Sequence, residues 1–279
     1  MTMTLFVVGT PIGNLGDLGP RARACLESVD LVIAEDTRVV GRLCHLLDIK
    51  PRAIRGYQGR QRITESEFVD VLATGDIALV SDAGMPGISD PGAAFVALAL
   101  ARGAKVSPIP GPSVLTAALA LWPLSFTGAC FYGFLPRRGQ ERIELLRRLM
   151  AAPTISVLLE SPRRLRDTCA DLAAIDGSRR TLLLGELTKL HESVHWMTLS
   201  EAHSWLTTVE LKGEWAVVVD QASTAAPPQQ DGERLLVALA RSSLGTKEAA
   251  GIFAEVHDLG SREAYRLMLS RRTDGQESS

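Results

Sequence analysis

Four short segments gather most of the side chains in this sequence that could do chemistry, and each sets polar or acidic groups beside glycine, proline or a charged partner. They are Gly9-Thr10-Pro11-Ile12-Gly13-Asn14-Leu15-Gly16, Glu35-Asp36-Thr37-Arg38, residues 81–92 (SDAGMPGISDPG) and Pro110-Gly111-Pro112-Ser113. Glycine and proline let a backbone turn sharply and approach a ligand, leaving amides as donors. Each segment directly follows a short apolar run. In an open α/β sheet, ligands lie beyond the carboxyl ends of the strands, which is where such segments fall. Any one of them reads equally well as an ordinary strand-to-helix turn; four in register argue for a binding site. The first segment is not GxGxxG and the sequence lacks GxxxxGK[ST], so neither familiar phosphate cradle is indicated.

A fifth segment offers a different chemistry. His191-Glu192-Ser193-Val194-His195 matches HExxH, which on a helix would present two zinc ligands and a general base, with Glu214 as a conceivable further ligand. Here Val194, Trp196 and Thr198 alternate with His195 and Met197, a pattern that favours a strand. Histidines four residues apart on a strand are roughly 13 Å apart, too far to share one metal. We therefore expect no metal, and zinc peptidase activity remains only a remote alternative. His257 reads as a polar residue near a helix end.

These segments need elements to hold them. Apolar runs at 5–8, Leu31–Ala34, Ile77–Val80 and 106–109 read as strands, separated by helical patterns at Pro20–Ser28, Glu65–Thr74, 92–102 and 113–120. A second series follows, with strands at 155–159, 181–184, Ser193–Thr198 and Trp215–Val219 and helices at Gln140–Ala151, 163–174 and 200–209. This alternation predicts an α/β chain with mainly parallel sheets. Trp122-Pro123-Leu124-Ser125 interrupts a helical pattern, so we expect an N-terminal α/β domain at 1–123 and a second at 124–221. Residues 222–232 (ASTAAPPQQDG) have linker composition, and 233–279 read as a small helical, helix-turn-helix-like domain.

Composition sets limits on the whole. The chain has 279 residues, of which 46% are hydrophobic and 22% charged, with a formal net charge of −2. It can bury a sizeable core, and a polyanion would have to meet a local patch rather than a basic molecule. Cys25, Cys44, Cys130 and Cys169 form no CxxC pair, which suits reduced thiols in the cytosol. No signal peptide and no membrane-length apolar run is evident, so the expectation is a soluble, cytoplasmic protein.

Longer motifs carry a resemblance. Thr-Pro-Ile-Gly-Asn-Leu (10–15), Ala-Glu-Asp-Thr-Arg (34–38), the 81–92 segment and Ile-Pro-Gly-Pro-Ser (109–113) are similar to those of the ribosomal RNA small subunit methyltransferase I family. That family lies in the tetrapyrrole-methylase-like superfamily. Gly-Phe-Leu-Pro (133–136), Glu-Ser-Pro-Arg-Arg-Leu (160–165), Glu-Leu-Thr-Lys (186–189) and Lys-Gly-Glu (212–214) extend the match in unbroken order. The resemblance implies two α/β domains flanking a cleft for S-adenosylmethionine, a small helical C-terminal domain and a homodimer. It also implies 2′-O-methylation of a cytidine in small-subunit (16S) rRNA, as free rRNA or in the assembled 30S subunit. Cofactor contacts would then come from Pro11, Asp82, Ala83, Gly84, Met85, Ser113, Val114, Glu160 and Leu187. The sequence departs from the family at Met85 and Gly87, where threonine and a larger apolar residue are expected. It departs again at 56–63 (GYQGRQRI), which lacks a histidine–asparagine cluster.

A ribose 2′-hydroxyl is a poor nucleophile until its proton leaves, so a carboxylate or lysine near the cleft would help. Asp36, Glu186 and Lys189 are the candidate catalytic groups, with Asp82 and Glu160 also at strand ends; Asp36 reads equally as a helix cap ahead of Thr37-Arg38. Arg52, Arg55, Arg60 and Arg62, with Lys50 nearby and Tyr57 among them, lie in a run without acidic side chains. Arginine forks bind phosphates and aromatic rings stack on unpaired bases, so this run is the first candidate for RNA contact, against a plain solvated face. Arg137, Arg138, Arg142, Arg147 and Arg148 form a second patch, diluted by Glu141 and Glu144. A tetrapyrrole or protein methyltransferase of the same superfamily is the alternative enzyme, and a ribosome-binding protein that only senses the cofactor is the non-enzymatic one.

Overall fold

The computed structural model describes residues 3–58, 62–222, 229–240, 242, 244–257 and 259–274. The chain divides into a unit at Met1–Gln221 and a unit at Ala222–Ser279. The larger unit opens with a five-stranded parallel sheet of β1 (Thr4–Val8), β2 (Leu31–Ala34), β3 (Ile54–Gly56), β4 (Ile77–Val80) and β5 (Lys105–Ile109), in the order β3-β2-β4-β1-β5. Its helices are α1 (Pro20–Ser28), α2 (Thr37–Leu46), α3 (Glu65–Thr74), α4 (Ala93–Ala101) and α5 (Val114–Ala120).

A parallel sheet covered on both faces needs strands that are apolar throughout, and β2 and β4 are buried at every position. Alternate residues serve opposite faces. Val8, Val32, Ala34, Ala78 and Val80 pack with Leu26, Val40 and Cys44, whereas Leu5, Ile33, Ile77 and Leu79 pack with Phe68, Leu72 and Ala99.

The second sheet holds β6 (Ala129–Phe134), β7 (Ile155–Glu160), β8 (Arg180–Gly185), β9 (Ser193–Thr198) and β10 (Trp215–Val219), in the order β6-β7-β10-β8-β9. Around it lie α6 (Gln140–Ala151), α7 (Pro162–Asp176) and α8 (Leu199–Leu206). Here the parallel expectation is corrected: β6 runs parallel to β7, but the β7–β10, β10–β8 and β8–β9 pairs are antiparallel. The physical reason is visible between β8 and β9, where residues 186–192 are far too few for a parallel crossover.

The division at 123 falls between α5 and β6. Although α5 follows the first sheet, Ala118 and Trp122 bury against Ile155, Val157, Leu182 and Val218 of the second. One helix thus ties the two sheets into a single unit. The predicted β9 is present, and His195 lies on it with its ring 4.2 Å from that of Trp205. Among the described residues, no three His, Cys, Asp or Glu side chains are grouped to hold a metal ion.

Cys25, Cys44, Cys130 and Cys169 are all unpaired thiols, and burial, with a nearby carboxylate, pushes Cys25 up to about 11 and Cys169 up to about 12. The smaller unit contains α9 (Gln229–Ala240), α10 (Thr246–His257) and α11 (Ser261–Asp274), packed around Ala249, Ala250, Phe253, Ala264 and Met268. Helix α9 begins inside the stretch read from composition as linker, so the linker is shorter than expected. Residues 223–228 lie outside the described ones. No helix among the described residues is long and apolar enough to cross a membrane.

Candidate active site

The carboxyl ends of the first sheet face the second sheet across a cleft of about 470 Å³. Next to Met85, which lines it, two strand ends cross closely. A Cβ added to Gly111 would lie 2.8 Å from Gly9 Cα, so neither glycine tolerates a side chain without moving backbone. Beside it, Thr10 and Gly84 exchange backbone hydrogen bonds of 3.0 and 3.1 Å, and Thr10 Oγ1 donates to the Ser81 carbonyl at 3.2 Å.

The 81–92 loop is organised by Asp90, which accepts from Gly87 N–H at 2.9 Å, Gly92 N–H at 2.7 Å and the Tyr57 hydroxyl at 3.0 Å. Gly84 and Gly87 have φ of 79° and 84°, a region that side chains strain. That backbone explains the glycine at position 87, where the family resemblance led us to expect a larger residue. The unexpected Met85 lines the cleft, and its sulfur closes the space over Gly9.

The opposite wall is Leu184, Leu187 and residues 213–216, backed by the rest of 186–189. Glu186 and Thr188 sit at φ of 49° and 65°, unusual for residues that carry side chains. Asn14 N–H donates to Thr188 Oγ1 at 3.1 Å, joining the first glycine-rich loop to this wall. Lys189 Nζ donates to Glu186 Oε1 at 2.8 Å and to Glu214 Oε2 at 2.9 Å. The lysine's hydrogen bond holds Glu186 below the ordinary carboxylate range. Burial pulls Lys189 down, but its bonds to Glu186 and Glu214 outweigh it, and the ammonium sits above its usual value.

Farther back, Glu160 is almost fully buried, with Oε2 accepting from Thr168 Oγ1 at 2.9 Å and Oε1 from Ser161 N–H at 2.8 Å. Arg164 lies 3.3 Å from the same carboxylate. This bonding explains how a buried acid is tolerated there.

Carboxylates crowd the end of the cleft near β2 and β4. Burial first, then repulsion from Asp82 and Asp90, holds Glu35 above the ordinary range, and burial likewise raises Asp82. Glu35 and Asp82 are shared with an adjoining polar recess of about 550 Å³ that also includes Asp36, Arg38, Arg55 and Gln58. From sequence Glu35 stood out only as a member of the 35–38 segment, not as a candidate catalytic group. The signal was present, since it directly follows β2 at the strand's carboxyl end.

The residues expected to hold the cofactor largely converge. Asp82, Ala83, Gly84, Met85, Ser113, Val114, Glu160 and Leu187 all line the cleft, while Pro11 is buried beside Ile12, which does line it. Glu186 and Lys189 stand behind the wall and reach the cleft through Glu214. Asp36 caps α2 by accepting from Arg38 N–H at 2.8 Å, and hydrogen bonds from Arg38 hold its carboxyl down at about 2. It faces the recess rather than the cleft.

The basic run at 50–62 is corrected as a single patch. Tyr57 is only 6% exposed, bonded to Asp90 and packed against Phe95, so its ring is not free to stack on a base. Arg52 pairs with Asp30 at 2.6 Å, at the amino end of β2 and away from the cleft. Arg55 faces the recess, Arg62 is exposed next to a bridge with Gly56, and Arg60 lies outside the described residues. In the second patch, Arg142 is buried against Asp171 and not available as an exposed fork, whereas Arg137, Arg138, Arg147 and Arg148 are exposed.

Comparison with known proteins agrees with this architecture. The tetrapyrrole (corrin/porphyrin) methylase family matches residues 4–203. A Synechocystis protein named ribosomal RNA small subunit methyltransferase I is 38% identical over 276 residues, covering 97% of this chain and 99% of that protein. Its namesake from Pseudomonas aeruginosa is 37% identical over 277 residues, covering 96% and 98%.

Among solved structures, a cobalt precorrin-4 methyltransferase superposes with a TM-score of 0.56 at 14% identity, covering 78% of this chain and 95% of that one. A Thermus thermophilus uroporphyrin-III C-methyltransferase complexed with S-adenosyl homocysteine gives 0.54 at 18% identity, covering 78% and 97%. These two likenesses concern the fold alone. On the family match and the identities over nearly its whole length, the chain is a methyltransferase of the tetrapyrrole methylase family and belongs, within it, to the ribosomal RNA small subunit methyltransferase I family.

Proposed function

We propose that the chain transfers a methyl group from S-adenosylmethionine to the ribose 2′-oxygen of a cytidine in small-subunit ribosomal RNA. The observation that carries this reading is the cleft, where the four loops at the strand ends of the first sheet, through Ile12, Glu35, Asp82 and Ser113, meet Leu187 and Glu214 of the second. Apolar walls from Ile12, Val114, Leu115 and Leu187 suit a nucleoside, and the carboxylates Glu35 and Asp82 suit its hydroxyl and cationic groups. The cofactor supplies a methyl group already activated on a sulfonium.

The protein's task is then alignment and proton removal. Glu35 and Asp82 sit in the cleft with carboxyls raised toward the range useful for a base. Asp36, partly exposed and held ionised by Arg38, is the weaker candidate. Lys189, bonded to both Glu186 and Glu214, positions Glu214 at the cleft wall. Free rRNA or the assembled 30S subunit is the partner, in the cytoplasm, and the chain acts as a homodimer.

The test is transfer of labelled methyl from S-adenosylmethionine to isolated small subunits, followed by alkaline hydrolysis. A label retained in an alkali-resistant cytidine-containing dinucleotide is expected, because a 2′-O-methyl group blocks cleavage. Label on protein or on a porphyrinoid, or cofactor binding without turnover, would sink the reading.

A further inference from the structure

Beside the cleft, the edge of the second sheet carries a surface that the chemistry above leaves unused. The register of β6 on β7 slips between Phe131 and Gly133, and Gly133 has φ of 60°. Such a bulge re-aims the next side chain. That side chain is Phe134, which is 59% exposed at the mouth of the cleft together with the exposed Ile88.

The chain then leaves β6 through Leu135 and Pro136 to Arg137 and Arg138. With Arg147, these two rim a recess of about 600 Å³ whose floor includes Ile143, Leu146 and Ile175. All three arginines are exposed, and no ion pair among the described residues involves them.

The two deeper arginines are already committed. Arg142 donates to Asp171 at 2.8 Å and Thr168 at 3.0 Å, and Arg164 donates to the Leu135 carbonyl at 2.7 Å while pairing with Glu160. They brace the loop that presents Arg137 and Arg138. Asp171 is thereby neutralised, leaving Asp167 as the recess's other acid and the rim positive.

We propose that this surface is a track for single-stranded RNA, with a base stacked on Phe134 and the neighbouring phosphates held by Arg137, Arg138 and Arg147. The proposal rests on the methylation of RNA argued above and names where the substrate strand lies outside the cleft. An exposed ring followed three and four residues later by unpaired guanidinium groups matches the two needs of an unpaired strand, a stacking platform and phosphate forks. Residues 134–138 span at most about 14 Å, the scale of a few nucleotides.

The test is the affinity of the full chain for a fluorescent single-stranded oligoribonucleotide at several salt concentrations. Replacing Arg137, Arg138 and Arg147 together with alanine should lower affinity about tenfold or more at low salt and flatten the log–log salt slope by about 0.7 per lost contact. Affinity for S-adenosylmethionine should not change. Phe134→Ala should weaken binding about 5- to 100-fold without altering the slope, and Phe134→Tyr should restore it.

An unaltered slope in the triple variant would overturn the proposal. So would equal affinity of the wild type for poly-glutamate, which would assign the patch to an acidic protein. If the binding arms hold while no methyl reaches RNA, the functional reading fails and the track stands. If wild type and triple variant methylate RNA equally at limiting substrate, the track alone fails.

Discussion

Replacing Gly111 with alanine should force apart the two strand ends that cross beside the cleft. The new Cβ would stand 2.8 Å from Gly9 Cα and 2.9 Å from Gly9 C and O, all backbone atoms that have no rotamer to yield. Relief to ordinary contact requires the ends of β1 and β5 to part by roughly half an ångström, yet Gly9 N–H is bonded to the Ile109 carbonyl at 3.1 Å. Overpacking of this kind costs about 1–3 kcal/mol. For a unit of this size each kcal/mol moves the melting temperature by about 2–4 °C, so a drop of about 2–12 °C is expected.

Gly41 provides the opposite case. It lies inside α2 with nothing within 4 Å of an added Cβ, so Gly41→Ala should gain about 0.5–1 kcal/mol from helix propensity. Calorimetry of both variants, with titration of S-adenosylmethionine, reads the two effects. The reasoning is refuted if Gly111→Ala melts with the wild type and binds the cofactor unchanged.

Two further outcomes follow from the side chains around the cleft. Because Glu35 is raised by burial and by its carboxylate neighbours, it stays protonated to higher pH than an ordinary glutamate. Its ionisation costs the fold stability as pH rises through the folded value, and a methylation rate that depends on it should climb across that window. Glu35→Gln should abolish this limb and lower kcat by about 10²–10⁴, which a pH–rate profile would read; an intact limb would acquit Glu35. Arg142→Met removes a buried partner of Asp171 and Thr168 and should cost about 1–3 kcal/mol in urea unfolding, whereas Asp171→Asn, at a half-exposed position, should cost less.

How much of the fold can be read from the residues depends on how local each signal is. Strands β2, β4, β9 and β10 stand where their apolar or alternating runs put them, because burial on one or two faces writes itself into composition. Strand β3 is not legible in this way: it is short, lies at an edge, and sets Arg55 between Ile54 and Gly56 with no clear period. Strand β6 is hidden for a related reason, being an edge interrupted by a bulge at Gly133.

The cleft is legible because four loops announce themselves by glycine and proline. The inward ring of Tyr57 is not, since its partner Asp90 is 33 positions away in the chain. Nor can spacing reveal that Arg52 and Arg55 serve opposite ends of the sheet. The antiparallel second sheet could have been read, because the connector at 186–192 is too short to cross over.

That same connector holds the least relaxed backbone of the cleft. Non-glycine residues in the left-handed region cost on the order of 1–3 kcal/mol each, and Glu186 and Thr188 both occupy it. They are kept there by a few bonds near the surface, among them Glu186 N–H to the Glu214 carbonyl, Thr188 N–H to Glu192 and Glu214 N–H to Glu186. Strands β8 and β9 on either side are pinned by a full ladder. Under native conditions the wall should therefore open by local unfolding well before the sheet does, and its amides should exchange with deuterium first. Any ligand that requires the closed wall will slow that exchange, so the protection it confers at 186–189 measures how much of its binding free energy goes into holding this loop shut.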